Sequence, residues 1–206
     1  MAILSEGAIR ARARQRAQRE GVSVDEALRR VSRRQATRYD IFLSQTIRDA
    51  EVVLGVYDLL VEMGFVVFCD WLDAPEADRA EVTPANAEFI RSVMSVSDTL
   101  LFLDTANADQ SLWMCWELGW FDGAKGHVAV LPVLPEGQGY YRGREFLGLY
   151  PYVEIDAEGH LKVVRPAAVN SQGMMLFESP NSRSFERWRE GTPAFMRPKI
   201  IEHWRL

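Results

Sequence analysis

The sequence predicts an α/β fold in which a parallel β-sheet is covered by helices on both faces. Short apolar runs that end in a polar or acidic residue alternate with stretches whose apolar residues recur at helical spacing. Strands that alternate with helices are joined by right-handed crossovers and therefore run parallel. The apolar share of the 206 residues, 48%, is enough to bury a core on each side of such a sheet.

The first 38 residues form an arginine-rich segment that is predicted to be helical. Ser23 and Glu26 have the spacing of a capping box, and an earlier helix is predicted from about Glu6 to Glu20. One interpretation is an extension that packs on its own domain. The other is an arm that contacts a partner, a second subunit or an anionic surface.

Between residues 39 and 155 four strands are separated by helices. The predicted strands are Tyr39–Ser44, Phe65–Cys69, Thr99–Leu103 and His127–Leu134. Because the fourth strand contains Pro132, which donates no ladder hydrogen bond, it is predicted to end there or to lie toward an edge. Helix starts are marked by Thr83 before Pro84, and by Ser111.

After residue 155 the pattern is weaker. An added strand is predicted at Leu161–Val164, followed by a helix that begins at Ser182 or Ser184. The predicted organisation is therefore a basic helical extension (1–38), a sheet domain (39–155) and a C-terminal extension (156–206) that packs on that domain.

A flavodoxin-like sheet of strand order 2-1-3-4-5 binds ligands where the strand order reverses, beyond the carboxyl ends of strands one and three. Ser44 leaves the first of these strands and Asp104 the second. The loop after strand two, with Trp71, borders the same edge. The helix that carries Glu117 begins there too, so the topology brings these side chains to one cleft.

The helix after the third strand combines three tryptophans with one carboxylate. Trp113, Glu117 and Trp120 are spaced i, i+4, i+7 and share a face. In one interpretation the rings are core and Glu117 pairs with an arginine. In the other, Glu117 lies beside a ligand on which the rings stack, and spacing alone does not separate the two.

Composition and motifs argue against several other functions. The formal net charge of -5 does not favour a nucleic-acid-binding protein, and no apolar run has the roughly 20 residues of a membrane span. The sequence contains no phosphate-binding glycine loop, no G-x-S-x-G elbow and no zinc-spaced histidine–cysteine pair, so we expect neither a metal nor a resident cofactor. Two cysteines without a disulfide framework favour a reducing, cytoplasmic setting.

Two motifs resemble those of TIR (Toll/interleukin-1 receptor) domains. Tyr-Asp-Ile-Phe-Leu-Ser at 39–44 is similar to their first box, and Ser-Leu-Trp-x-Cys-x-Glu-Leu at 111–118 to their catalytic-glutamate motif. The continuation to residue 123, with Phe-Leu-Gly-Leu-Tyr-Pro at 146–151, is similar to bacterial stand-alone TIR proteins, including the TIR subunits of Thoeris antiphage systems. The resemblance covers residues 38–155.

This resemblance implies a flavodoxin-like fold and cleavage of the nicotinamide–ribose bond of NAD+, which is a substrate and not a cofactor. Glu117 falls on the catalytic glutamate and Trp113 on an aromatic wall of the nicotinamide-ribose pocket. Phe42 and Ser44 fall at the strand end that lines the site. Trp71, which we also expect at the substrate, lies in a segment, 70–86, that corresponds to the BB loop but lacks its Arg-Asp-x-x-Pro-Gly signature.

With these roles assigned, Trp116 and Trp120 are expected to serve packing, and Cys115 is predicted to be a small buried side chain. Three functions stay open. The first is an NAD+ glycohydrolase or ADP-ribosyl cyclase whose product reaches a downstream effector in antiphage defence. The second is a non-catalytic TIR module that assembles with other TIR domains. The third is a nucleoside-processing enzyme.

Glu117 favours the enzyme over the scaffold, because TIR domains that act only as scaffolds usually lack this glutamate. Self-association through TIR surfaces is expected in either case, without a nucleic-acid or membrane partner.

Overall fold

The computed structural model describes residues 2–32, 36–69, 83–108, 111–141, 143, 145–165 and 182–191. Within these residues eight strands form one sheet. They are β1 (Leu4–Ser5), β2 (Tyr39–Ser44), β3 (Val67–Phe68), β4 (Ser97–Asp104), β5 (Val128–Leu134), β6 (Tyr152–Ile155), β7 (Leu161–Val164) and β8 (Ser182–Ser184). Five neighbouring strands are parallel in the order β3-β2-β4-β5-β6, which confirms the predicted order 2-1-3-4-5. β7 and β8 continue the sheet as antiparallel strands.

Helices cover both faces of this sheet, as predicted. They are α1 (Glu6–Glu20), α2 (Val24–Ser32), α3 (Ala50–Glu62), α4 (Pro84–Ser95), α5 (Leu112–Ala124) and α6 (Phe185–Glu190). The core on one face is shared by α1, α2, α3 and α6, and the core on the other by α4 and α5. None of the helices in the described ranges has both the length and the apolar composition to cross a membrane.

The predicted caps fix where α4 and α5 begin. Thr83 Oγ1 accepts a hydrogen bond from the Asn86 backbone N–H at 3.2 Å, and Ser111 Oγ accepts one from the Met114 N–H at 3.4 Å. Each cap satisfies a backbone donor that the first helical turn leaves without an intrahelical partner.

The prediction that the fourth strand ends at Pro132 or lies toward an edge is wrong. β5 continues to Leu134 and lies between β4 and β6. The proline is accommodated where β5 changes neighbour: Val130 pairs with Tyr152 of β6, whereas Val133 pairs with Leu4 of β1. A missing ladder donor costs little at such a changeover.

The N-terminal helices pack on α3, which favours the first interpretation of the basic segment. Arg12 and Arg16 of α1 both form ion pairs with Asp58 of α3. The two helices are in close contact at Gly55, where a Cβ atom would lie 2.1 Å from the Ile9 carbonyl oxygen. Arginines that the sequence could have offered to a partner are therefore paired within the chain.

Candidate active site

Glu117 lies on the buried face of α5, and only 9% of the residue is exposed. Met114, Leu118 and Phe121 form the rest of this face at helical spacing. Glu117 thus occupies a position that packing alone would give to an apolar residue. Burying a carboxylate costs free energy unless hydrogen bonds compensate, so its partners define the site.

Ser44, the last residue of β2, supplies such a bond. Its Oγ donates a hydrogen bond to Glu117 Oε2 at 2.5 Å, and Ser44 is 1% exposed. Hydrogen bonds from a hydroxyl to a carboxylate are among the shorter and stronger ones in proteins. This contact joins the carboxyl end of β2 to the second turn of α5 and holds one oxygen of the carboxylate in place.

Phe42 lies two residues before Ser44 on the same face of the sheet. Its ring is buried and stacks on Phe68 of β3, with centroids 5.2 Å apart and an interplanar angle of 24°. Phe42 therefore belongs to the buried core on the α4–α5 side of the sheet.

The three tryptophans of α5 flank Glu117 in sequence and have intermediate exposure. Trp113, one turn before the carboxylate, meets Trp116 edge-to-face with centroids 5.2 Å apart. Trp116 and Trp120 pack against the core on the α5 side of the sheet, in keeping with their expected packing role. The prediction for Cys115 is wrong, because it is exposed. It follows Met114 by one residue, about 100° around the helix from the buried face.

A second buried carboxylate, Asp104, lies at the same edge of the sheet. It ends β4 two residues after Phe102, the register partner of Ser44, and so belongs to the same face. Tyr141 donates a hydrogen bond from its hydroxyl to Asp104 Oδ2 at 2.7 Å. Sequence reasoning missed Tyr141, because it lies in an irregular segment after β5 where no periodicity indicates a position.

Known proteins are similar in sequence to this chain. No family model matches the chain. A protein of Bacillus cereus (strain MSX-D12) named "Probable 3' cyclic ADP-D-ribose synthase ThsB'" is 45% identical over 116 residues, which are 56% of this chain and 60% of that protein. The resemblance to Thoeris-type TIR proteins is confirmed.

A second TIR relative is more distant. A protein of Cytobacillus dafuensis named "Putative cyclic ADP-D-ribose synthase TIR2" is 25% identical over 81 residues, 39% of this chain and 21% of that protein. The chain covers less than two thirds of the length of either relative.

Segment 70–86, which the resemblance implies is the BB loop, is described only from Thr83 onward. Trp71, expected at the substrate, lies outside the described residues. In the part of the chain that the structure describes, no three His, Cys, Asp or Glu side chains come together in a way that could hold a metal ion.

Proposed function

We propose that this chain cleaves the nicotinamide–ribose bond of NAD+ and that Glu117 is its catalytic carboxylate. The observation that carries the proposal is the buried Glu117, held by Ser44 at the carboxyl edge of the sheet. Ligands of open α/β sheets bind at this edge, where the strand order reverses between β2 and β4. The names of both relatives, as cyclic ADP-D-ribose synthases, support the choice of substrate.

The chemistry suits one carboxylate. When the bond between the ribose C1′ and the nicotinamide nitrogen breaks, its electron pair leaves with nicotinamide and positive charge develops on the ribose. A carboxylate beside the ribose stabilises this oxocarbenium-like transition state. Because Glu117 is buried, water screens its charge only weakly and the stabilisation is larger than at an exposed site.

The neighbouring residues have supporting roles in this proposal. Ser44 holds Glu117 Oε2, so the carboxylate needs little reorientation as charge develops. Trp113 forms an aromatic wall one turn earlier on α5, where a planar nicotinamide ring can stack. Trp71 is proposed to contact the substrate.

The product depends on what captures the ribose. Water gives ADP-ribose, and attack by the adenine end of the same molecule gives a cyclic ADP-ribose. The names of the relatives support the cyclic product. We further propose that the chain self-associates through TIR surfaces in the cytoplasm and that a downstream effector senses its product during antiphage defence.

Incubation of the purified chain with NAD+, followed by chromatography and mass spectrometry, tests this function. The proposal predicts nicotinamide and a cyclic ADP-ribose in equal amounts. Intact NAD+ at protein concentrations where the chain visibly self-associates would favour the scaffold. Cleavage of free nucleosides with NAD+ untouched would favour the nucleoside-processing enzyme.

A further inference from the structure

Asp49, just before α3, is only 3% exposed and hydrogen-bonds across to the segment that follows β4. Its Oδ1 accepts a hydrogen bond from Asn107 Nδ2 at 2.7 Å, and its Oδ2 accepts one from the Thr105 hydroxyl. Thr105 Oγ1 also accepts a bond from the Asn107 backbone N–H at 3.2 Å. The three residues form a closed cluster, which we call the Asp49 clamp.

The position of Asp49 would normally indicate a helix cap. An aspartate before the first helical residue usually accepts from a backbone N–H of the first turn. Asp49 makes no such side-chain bond to α3. Its two oxygens instead bind a different segment, so helix capping does not explain why a carboxylate is buried here.

The clamp joins the two segments that carry the site residues. Asp49 lies in the connection that follows Ser44, and Thr105 and Asn107 lie in the connection that leads to α5 and Glu117. The contact between Ser44 and Glu117 spans 73 residues of sequence, and the clamp spans 56 and 58. The two chain segments are therefore fixed to each other at two places, one of them the site itself.

Helix α1 contributes a cation to this cluster. Arg10 Nη2 lies 3.8 Å from Asp49 Oδ1, and Arg10 also pairs with Glu6 at 2.7 Å and Glu51 at 3.3 Å. A positive charge beside a buried carboxylate offsets part of the free-energy cost of its burial. Helix α1 therefore contacts the Asp49 clamp through Arg10.

We propose that Asp49 is a positioning residue for Glu117, which acts by holding the β4–α5 connection against the β2–α3 connection. The inference rests on the proposed function. Substrate affinity comes from other groups, so loss of the clamp misplaces the carboxylate during the chemical step and lowers kcat more than it changes KM.

Asp49→Ala and Asp58→Ala form a matched pair for the test. Asp58 also pairs with arginines of α1, at 2.7 Å from Arg12 and 3.3 Å from Arg16, but contacts neither site segment through these bonds. We expect Asp49→Ala to lower kcat for nicotinamide release about tenfold to 100-fold with KM within about twofold. Asp58→Ala is expected to lower the melting temperature and to keep kcat.

A double-mutant cycle with Ser44→Ala separates positioning from general destabilisation. If Asp49 acts through the Ser44–Glu117 geometry, Asp49→Ala costs less in the Ser44→Ala background than in the wild type. Equal fold-losses in both backgrounds, or an unchanged kcat in folded Asp49→Ala, would overturn the proposal.

Hydrogen exchange gives a readout that does not depend on activity. The backbone amides of Asn107, Ala108 and the first turn of α5 are expected to exchange faster in Asp49→Ala and to be unchanged in Asp58→Ala. Unchanged exchange in Asp49→Ala contradicts the clamp even if the wild type proves inactive. A wild type that leaves NAD+ intact contradicts the proposed function, whatever the exchange shows.

Discussion

At the residue scale, the hydrogen bond from Ser44 helps to orient the Glu117 carboxylate. Ser44 Oγ lies 2.5 Å from Glu117 Oε2, and both residues are buried. Without the hydroxyl, a buried carboxylate oxygen loses a donor, and the group gains rotational freedom. Both effects bear on the reaction, because a carboxylate stabilises the transition state best when it is already oriented.

Ser44→Ala is therefore expected to lower kcat for nicotinamide release about tenfold or more and to cost about 1–3 kcal/mol of unfolding free energy. Ser97→Ala is the matched control. Ser97 is also buried, and its hydroxyl donates to the Val93 carbonyl at 2.8 Å at the other end of the sheet. Initial rates and urea unfolding are measured for both variants. Equal kcat values for Ser44→Ala and Ser97→Ala would show that Ser44 has no role beyond stability.

At the scale of elements, the packing of α1 on α3 depends on one glycine. A Cβ at Gly55 would lie 2.1 Å from the Ile9 carbonyl oxygen, a backbone atom that cannot move without the whole helix. Gly123, in the last turn of α5, has nothing within 4 Å of such a Cβ. A methyl group added at Gly55 would therefore clash with α1, whereas one added at Gly123 would lie in open space.

We predict that Gly55→Ala destabilises the chain by about 1–3 kcal/mol, because it forces α1 away from α3. Gly123→Ala is expected to stabilise by about 0.5–1 kcal/mol through helix propensity. Thermal and urea unfolding measure both. A neutral Gly55→Ala would mean that the two helices are not in close contact.

An ion pair between the same two helices gives their packing a pH dependence. Hydrogen bonds from Arg14 lower the pKa of Glu51 below its ordinary value of 4.5. A folded pKa below the unfolded value means that the stabilisation is present above about pH 4.5 and is lost as pH falls through the folded pKa.

The difference in unfolding free energy between wild type and Glu51→Gln should therefore shrink as the buffer is taken from about pH 6 to about pH 3. Urea titrations at several pH values measure it. A difference that stays constant across this range would show that the Arg14–Glu51 pair contributes nothing in its charged form.

At the scale of the whole molecule, strand order was predictable and the contacts at the site were not. Capping residues such as Thr83 and Ser111 mark helix starts locally, and parallel α/β rules supply the order. The Ser44–Glu117 bond depends on how α5 is rotated. The spacing in the sequence grouped Glu117 with Trp113 and Trp120 on one face of the helix. In the structure, the buried face that contains Glu117 is formed by Met114, Leu118 and Phe121.

Two other features could not be predicted from the sequence, because they also depend on tertiary contacts. The sequence around Pro132 does not show which strand would lie beside it. In the structure, β5 pairs with β6 before this proline and with β1 after it. The arginines of α1 find their partners on α3, about 40 residues later in sequence, so composition alone could not separate a packed extension from an arm for a partner. These contacts arise from tertiary packing, which local patterns do not encode.

Nicotinamide release from NAD+ by Glu117→Gln, compared with wild type and Glu158→Gln, is the most direct test of the central claim. Glutamine keeps the size of the side chain and removes the charge at Glu117, and Glu158 is an exposed glutamate between β6 and β7. We predict a loss of at least about 100-fold for Glu117→Gln and wild-type rates for Glu158→Gln. Equal release by folded Glu117→Gln and wild type would contradict the assignment of Glu117 as the catalytic carboxylate.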